Sequence, residues 1–368
     1  MDKDIIELIY NFKDQAKEEK WDLAEYKKNV IDNLLHVYSK SDFHHNIIDQ
    51  IICIVIPKFN IDNRYDLKIT RRIYNNNVDE LNRLLNIPKD SAQKSIEWKL
   101  KRHNHINASE ANTVLGGSRK SLLISKSHPL PELNSSGLAT EHGTMFEPIS
   151  NDIHSDKIKK KIYEFESIEH PIHKFIAASP DGITEDGELV EYKNPKSRKI
   201  VGVPKDDYWV QTQFQMEVTN LNRCHFVECG YTHYLCVEDF LASTHEYKGV
   251  ILVYYDLCQK KHIIYSPLNI TSDEYNSWYK NESDIINNIS IDIHIECSWW
   301  GLNKYSCFIV YRDKKWFKDT LPIFRQFWDE VLQCRANPNL IPIHIKRERP
   351  NILPKIDTNC KIDYDDYI

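Results

Sequence analysis

The stretch from Ala177 to Pro195 limits what this chain can fold into more than any other. Asp186-Gly187 is a turn signal set between Ile183 and Leu189, so Ala177–Ile183 and Glu188–Tyr192 are expected to run as antiparallel neighbours. The second strand begins with apolar Leu189-Val190 and then carries Glu191 and Lys193, two residues apart and therefore on one face. Asp181, at the start of the opposing strand, falls on the same side. Two carboxylates flanking the Tyr192 backbone carbonyl offer hard oxygen ligands suited to Mg²⁺ or Mn²⁺, with coordination positions left for water. Lys193 then sits where it orients or deprotonates such a water and neutralises charge developing on a phosphoryl group. The plainer alternative for the same residues is an exposed charged hairpin.

The remainder of the chain is long enough to build a large core around that hairpin. At 368 residues, with 41% apolar and 28% charged residues and only 10 glycines, it is neither a small stapled scaffold nor a collagen-like or wholly disordered chain. It has no apolar run of about 18 residues and no basic stretch preceding an apolar one at its start, so a soluble, intracellular protein with no membrane partner is expected. The nine cysteines are scattered without a CxxC, which argues against a disulfide framework or a zinc knuckle, and Cys224, Cys229 and Cys236 read as packed thiols. A net charge of −6 means that a polyanionic partner would have to meet a local basic groove.

Periodicity divides the chain into a helical N-terminal module (1–90), a mixed region (91–336) and an extended tail (337–368). In the first, Leu23, Tyr26, Val30, Leu34 and Val37 recur at helical spacing. In the second, Ser91–Leu115 reads as helix, turn and helix, with Ser109 placed to cap the second helix. Helices are expected at 141–156, 208–219, 272–288 and 314–335, and strands within 162–178 and at 224–235, 248–255 and 262–266. The fold class is therefore α+β, a mixed central β-sheet flanked by helices and preceded by a helical module.

Five segments occur in a telling order over residues 93–235. Trp98 and Arg102 precede Ile106-Asn107-Ala108-Ser109-Glu110; His142-Gly143-Thr144-Met145-Phe146-Glu147-Pro148 follows. Then come Ser179-Pro180-Asp181-Gly182, the Leu189–Pro195 strand, and Tyr208-Trp209-Val210-Gln211-Thr212-Gln213. This series resembles the YqaJ-type viral recombinase nucleases, the lambda exonuclease group of the PD-(D/E)XK superfamily. Asn194 departs from the Cys that often precedes the motif proline, at a position that is no metal ligand.

The resemblance implies Glu147, Asp181 and Glu191, with the Tyr192 backbone carbonyl, as ligands of two Mg²⁺ or Mn²⁺ ions. It makes Lys193 the catalytic lysine and sets Gln211 beside the attacking water. Arg102 and Ser109 look like the pocket for a terminal 5′-phosphate, as a guanidinium fork and a helix start would suit, with Arg119 and Lys120 as further phosphate candidates. The implied activity is 5′-to-3′ digestion of linear duplex DNA, which exposes 3′ single strands for recombination, repair or viral genome processing. An endonuclease and a non-cleaving DNA-binding or docking module are the alternatives. A single-strand annealing protein is a candidate partner, and a homo-oligomer a candidate assembly. Iron–sulfur ligation, known in related nucleases, is not expected, because no close group of three cysteines follows the core. The long flanks and the Ile- and Asn-rich composition are similar to large DNA virus members, which would place the protein in host cytoplasm or a virion.

Overall fold

A computed structural model describes residues 77–88, 95–116, 118–129 and 138–342. Most of the expected N-terminal module and the tail beyond 342 lie outside the described residues. Residues 77–85 are helical and send Leu81 and Leu84 into the main core, while Asn77 bonds Asn222. Helix α1 (Ile96–His103) starts at Ser95, whose hydroxyl accepts from the Trp98 N–H. It leads through β1 (Ile106–Asn107) and a 3-10 turn (Ala108–Glu110) into α2 (Ala111–Leu115). Ser109 does not cap this helix. Glu110 closes the turn instead: its carboxylate accepts from the Asn107 backbone and side-chain N–H groups and pairs with Lys126, which leaves the Ser109 hydroxyl to Arg102.

Helix α3 (Arg119–Ser127), unforeseen in so polar a segment, is held by tertiary contacts through Leu123. The long α4 (Leu138–Ile158) precedes four short strands: β2 (Ile162–Tyr163), β3 (Ile168–Glu169), β4 (Ile176–Ala178) and β5 (Gly182–Thr184). Then come β6 (Leu189–Lys193), α5 (Asp206–Thr219), β7 (Arg223–Tyr234) and α6 (Val237–Ala242). The C-terminal part is built of β8 (Lys248–Tyr255), β9 (Lys261–Tyr265), α7 (Ser272–Asn287), β10 (Ile295–Tyr311) and α8 (Lys314–Ala336).

The strands form two sheets among the described residues, one of order β1-β4-β3 and one of order β2-β5-β6-β7-β10-β8-β9. In the large sheet β6 and β7 run parallel and the remaining pairs antiparallel, so the architecture is α+β with a mixed central sheet between helices, as the sequence suggested. Two expectations are corrected. Ala177–Ile183 is not one strand: Pro180 offers no N–H to a ladder, so the chain leaves the small sheet at Ala178 and enters the large one at Gly182. The 17-residue β10 was missed because Gly301, Asn303 and a bulge between Leu302 and Lys304 interrupt its alternation; pairing with β7 on one side and β8 on the other makes it a strand.

Alternation along β6 and β7 sorts the two layers. Leu189, Cys224 and Phe226 face α5 and α8, where Phe214, Phe324, Phe327 and Val331 are buried. Val190, Tyr192, Val227 and Cys229 face α4, against Phe146, Ile149 and Ile153. Each of these large side chains contributes about 1.5–3 kcal/mol. Cys224 and Cys229 thus lie on opposite faces, consistent with packed thiols. In the β5–β6 turn, Gly187 holds φ +74°, and a Cβ there would meet the Asn77 carbonyl oxygen at 2.3 Å. Gly187→Ala should therefore lower unfolding stability by at least about 1 kcal/mol in urea titration, through strain in the left-handed region and loss of the 77–85 contact.

Candidate active site

β6 turns Glu191 and Lys193 toward α5, and Glu191 is only 2% exposed. A buried carboxylate must have its lone pairs occupied. Glu191 Oε1 accepts from Lys193 Nζ and, at 2.6 Å, from Gln211 Nε2; Oε2 accepts at 2.7 Å from Gln215 Nε2. Gln211 and Gln215 are one turn apart on α5, so one helix face serves both oxygens. Lys193 Nζ also lies 3.3 Å from Gln211 Oε1 and 4.9 Å from the Tyr208 ring centre. Burial alone would lower the Lys193 pKa, but Glu191 and Asp181 outweigh it and raise it, so the group stays an ammonium.

Asp181, freed from the ladder by Pro180, accepts the Tyr192 N–H at 2.8 Å. Burial, then the Glu191 and Glu147 charges, push its pKa well above the ordinary carboxylate range, against Lys193 and that N–H. Glu147 comes from α4, beside Pro148, which has no N–H for the Thr144 carbonyl. Thr144, Glu147, Asp181 and Tyr192 share the wall of a cleft of about 500 Å³ that also exposes Lys196 and Arg198. The Tyr192 side chain crosses to the other face, where its hydroxyl donates to Asn151 at 3.0 Å.

A second cleft of about 210 Å³ shares Thr144, Glu147 and Asp181 and is lined by Trp98, Arg102, Ser109 and Ser179. Arg102 donates to Ser109 Oγ at 3.0 Å, with its guanidinium 4.7 Å from the Trp98 ring centre. Burial pulls the Arg102 pKa down, against Glu110. Three polar atoms along this cleft, Trp98 Nε1, Ser179 Oγ and Gln215 Oε1, are buried with no hydrogen-bond partner among the described residues.

Of the residues singled out from sequence, Glu147, Asp181, Glu191, Tyr192, Lys193 and Gln211 come together along these walls, with Arg102 and Ser109 adjoining. Arg119 lines neither cleft. Its guanidinium makes two bonds of 2.8 and 2.7 Å to Glu330, tying α3 to α8. Gln213 also turns away, bonding the Tyr311 carbonyl and the Asp313 N–H to fix the β10–α8 junction. Gln215, Thr144 and Arg198 were missed; for Gln215 the signal was its position four residues after Gln211 on a helix. The cations on this cleft are Lys193, paired with Glu191, Arg198, paired with Glu228, and Lys196; with three acids on the same wall, the cleft is mixed in charge and is not the basic groove expected. The donor set converging here is all carboxylate, with neither thiolate nor imidazole among the acids named. Three acids facing one ammonium leave excess negative charge that a hard divalent cation would offset, so the residues fit Mg²⁺ or Mn²⁺.

Residues 97–222 match the sequence model of the YqaJ-like viral recombinase domain. The matched span holds every residue of both clefts just named. The chain is also 28% identical over 306 residues to uncharacterized protein R354 of Acanthamoeba polyphaga mimivirus, a match covering 69% of this chain and 55% of the relative. The chain thus spans about half the length of that curated relative. Among solved structures it is similar to the alkaline exonuclease LHK-Exo from Laribacter hongkongensis, at TM-score 0.43 and 20% identity, covering 67% of this chain and 96% of that one. A phage-related exonuclease from Haemophilus somnus 129PT gives 0.38 and 11%, over 63% and 95%.

The crowded acids of this cleft carry a stability cost. An Asp whose folded pKa is raised binds its proton more tightly folded than unfolded, so stability falls as pH climbs from the unfolded toward the folded pKa. At neutral pH in EDTA, Asp181→Asn should raise unfolding stability, by about 1–2 kcal/mol, while keeping the Tyr192 N–H bond. Thermal melts of both proteins read this out; a clear loss of stability would contradict the charge crowding.

Proposed function

We propose that this protein is a divalent-metal-dependent exonuclease acting on linear duplex DNA, with Glu147, Asp181 and Glu191 as its acidic centre. The observation that carries the reading is the meeting of these carboxylates with the Lys193 ammonium in a cleft that opens beside a second, Arg102-lined one. Glu147, Asp181, Glu191 and the Tyr192 carbonyl would hold the cation or a pair of cations. Bound there, Mg²⁺ or Mn²⁺ would supply Lewis acidity toward a phosphoryl oxygen and make water a better nucleophile.

The chain's own groups do the rest. Gln211 and Gln215 hold Glu191 in one orientation, so its oxygens are aimed before substrate arrives. Lys193, kept protonated, places a positive charge next to the phosphate that gains charge in the transition state. Lys196 offers the rim of the cleft a positive charge for a DNA backbone, with Arg198 beside it already paired to Glu228. Arg102, with Ser109 and the unpartnered Trp98 and Ser179 donors, provides for a terminal phosphate, which supports attack from a 5′ end and an exonuclease over an endonuclease. The likeness to a giant-virus protein supports a viral setting; a single-strand annealing protein for the 3′ strand and a homo-oligomeric working form belong to the same proposal.

End-labelled linear and covalently closed duplexes, incubated with Mg²⁺ or EDTA, test this directly. Linear DNA should be digested only with the metal, and closed circles should survive; nicking of circles would favour the endonuclease. Lys193→Ala and Glu191→Ala should each lose at least about 100-fold in rate. Arg102→Ala should shrink the preference for 5′-phosphate over 5′-hydroxyl ends by roughly 10- to 100-fold, as a charge-assisted contact of about 1.5–3 kcal/mol is lost.

A further inference from the structure

On the sheet face opposite Glu191 and Lys193, two buried histidines meet nitrogen to nitrogen. His154 of α4 is 0% exposed and His225 of β7 is 6% exposed. His154 Nε2 lies 2.9 Å from His225 Nδ1. The remaining nitrogen of each ring is held: His154 Nδ1 by the Tyr305 hydroxyl at 2.7 Å, His225 Nε2 by Glu188 at 2.6 Å, with Glu188 itself paired to Arg223. Cys307 of β10 joins them, and its Sγ and the facing ring nitrogens all lie within 4.8 Å of one another.

A chain of neutral core histidines would need no thiol and no carboxylate behind one ring. Here the carboxylate fixes His225 with its proton on Nε2, which leaves the Nδ1 lone pair pointing at His154. Burial holds His154 uncharged, with its pKa down to about 3, so its Nε2 is available as a neutral ligand once Nδ1 carries the proton toward the Tyr305 oxygen. Carboxylate-backed and hydroxyl-backed imidazoles are what metal sites use to orient their ligands.

We propose that His154 Nε2, His225 Nδ1 and Cys307 Sγ form a second metal site, for a borderline-soft divalent ion of the zinc class, distinct from the oxygen-lined cleft. Two nitrogens about 2.0–2.1 Å from a tetrahedral ion are about 3.3 Å apart, so the histidines open by a few tenths of an ångström, while Cys307 Sγ, within 4.8 Å of them, closes by about 1 Å to reach a bond of about 2.3 Å. Cys307, the least buried of the three, gives the ion its way in; burial pushes its thiol pKa up to about 12, so it gives up its proton only to the ion, and water completes the fourth position. The ion clamps α4 to β7 and β10. Glu147 lies seven residues before His154 on that helix, two turns or about 10 Å away.

The test uses the full chain, stripped with chelator and titrated with Co²⁺. One equivalent should produce a thiolate-to-cobalt charge-transfer band with the visible bands of a four-coordinate ion, and Zn²⁺ should displace it. Glu191→Gln should keep these bands, and Cys307→Ser, a near-isosteric change, should lose the charge-transfer band with its circular dichroism unchanged. His225→Gln should weaken binding at least 10-fold. The wild-type titration stands even if a variant fails to fold. Absence of a thiolate band in wild type, or its survival in folded Cys307→Ser, would overturn the site.

Discussion

The buried carboxylate of Glu191 governs the arrangement around it. An anion 2% exposed in a sheet has to be met by donors, and three side chains meet it: Lys193 from its own strand, Gln211 and Gln215 from α5. That requirement fixes the rotation of α5 over β6. Once α5 is so placed, Phe214 is aimed at Phe324 and α8 packs behind it. The polar centre and the largest apolar cluster are thus two consequences of one helix setting, and the polar part is a network in which each member satisfies another.

The sheet separates two chemistries. On β6 and β7 one face presents Glu191 and Lys193 to α5 while the other presents Tyr192 and His225 to α4, and Glu147 reaches the cleft from α4 itself. Residues adjacent in sequence take part in both: Glu188 backs His225, while Glu191, three positions on, meets α5. Period-two alternation lets β6 and the residue just before it contribute to both faces.

What the sequence disclosed follows from how local each signal is. Glu191 and Lys193 could be placed on one face because strand alternation is a local rule, and the Asp186-Gly187 turn set the β5–β6 register. The split at Pro180 was readable in principle, as proline cannot serve a ladder on both sides. β10 was not, since a bulge and Gly301 break its pattern and its state depends on partners elsewhere in the chain. Arg119 looked like a free phosphate ligand because its partner Glu330 is 211 residues away. His154 and His225, 71 residues apart with no spacing rule to connect them, escaped notice for the same reason.

The position of β10 has a consequence for how the molecule comes into being. β7 starts at Arg223, one residue past the end of the family match, and its antiparallel partner spans Ile295–Tyr311. The span recognisable by family therefore stops short of the strand that runs parallel to β6, and that strand in turn waits for a neighbour synthesised much later. On the ribosome, the apolar residues of β7 would stay uncovered on one edge until Tyr311 has emerged, about 4–18 s later at 5–20 residues per second. What evolution copies as a unit is here smaller than what physics folds as one: a nascent chain stopped at residue 222 has its cleft residues but not the sheet that holds them in place.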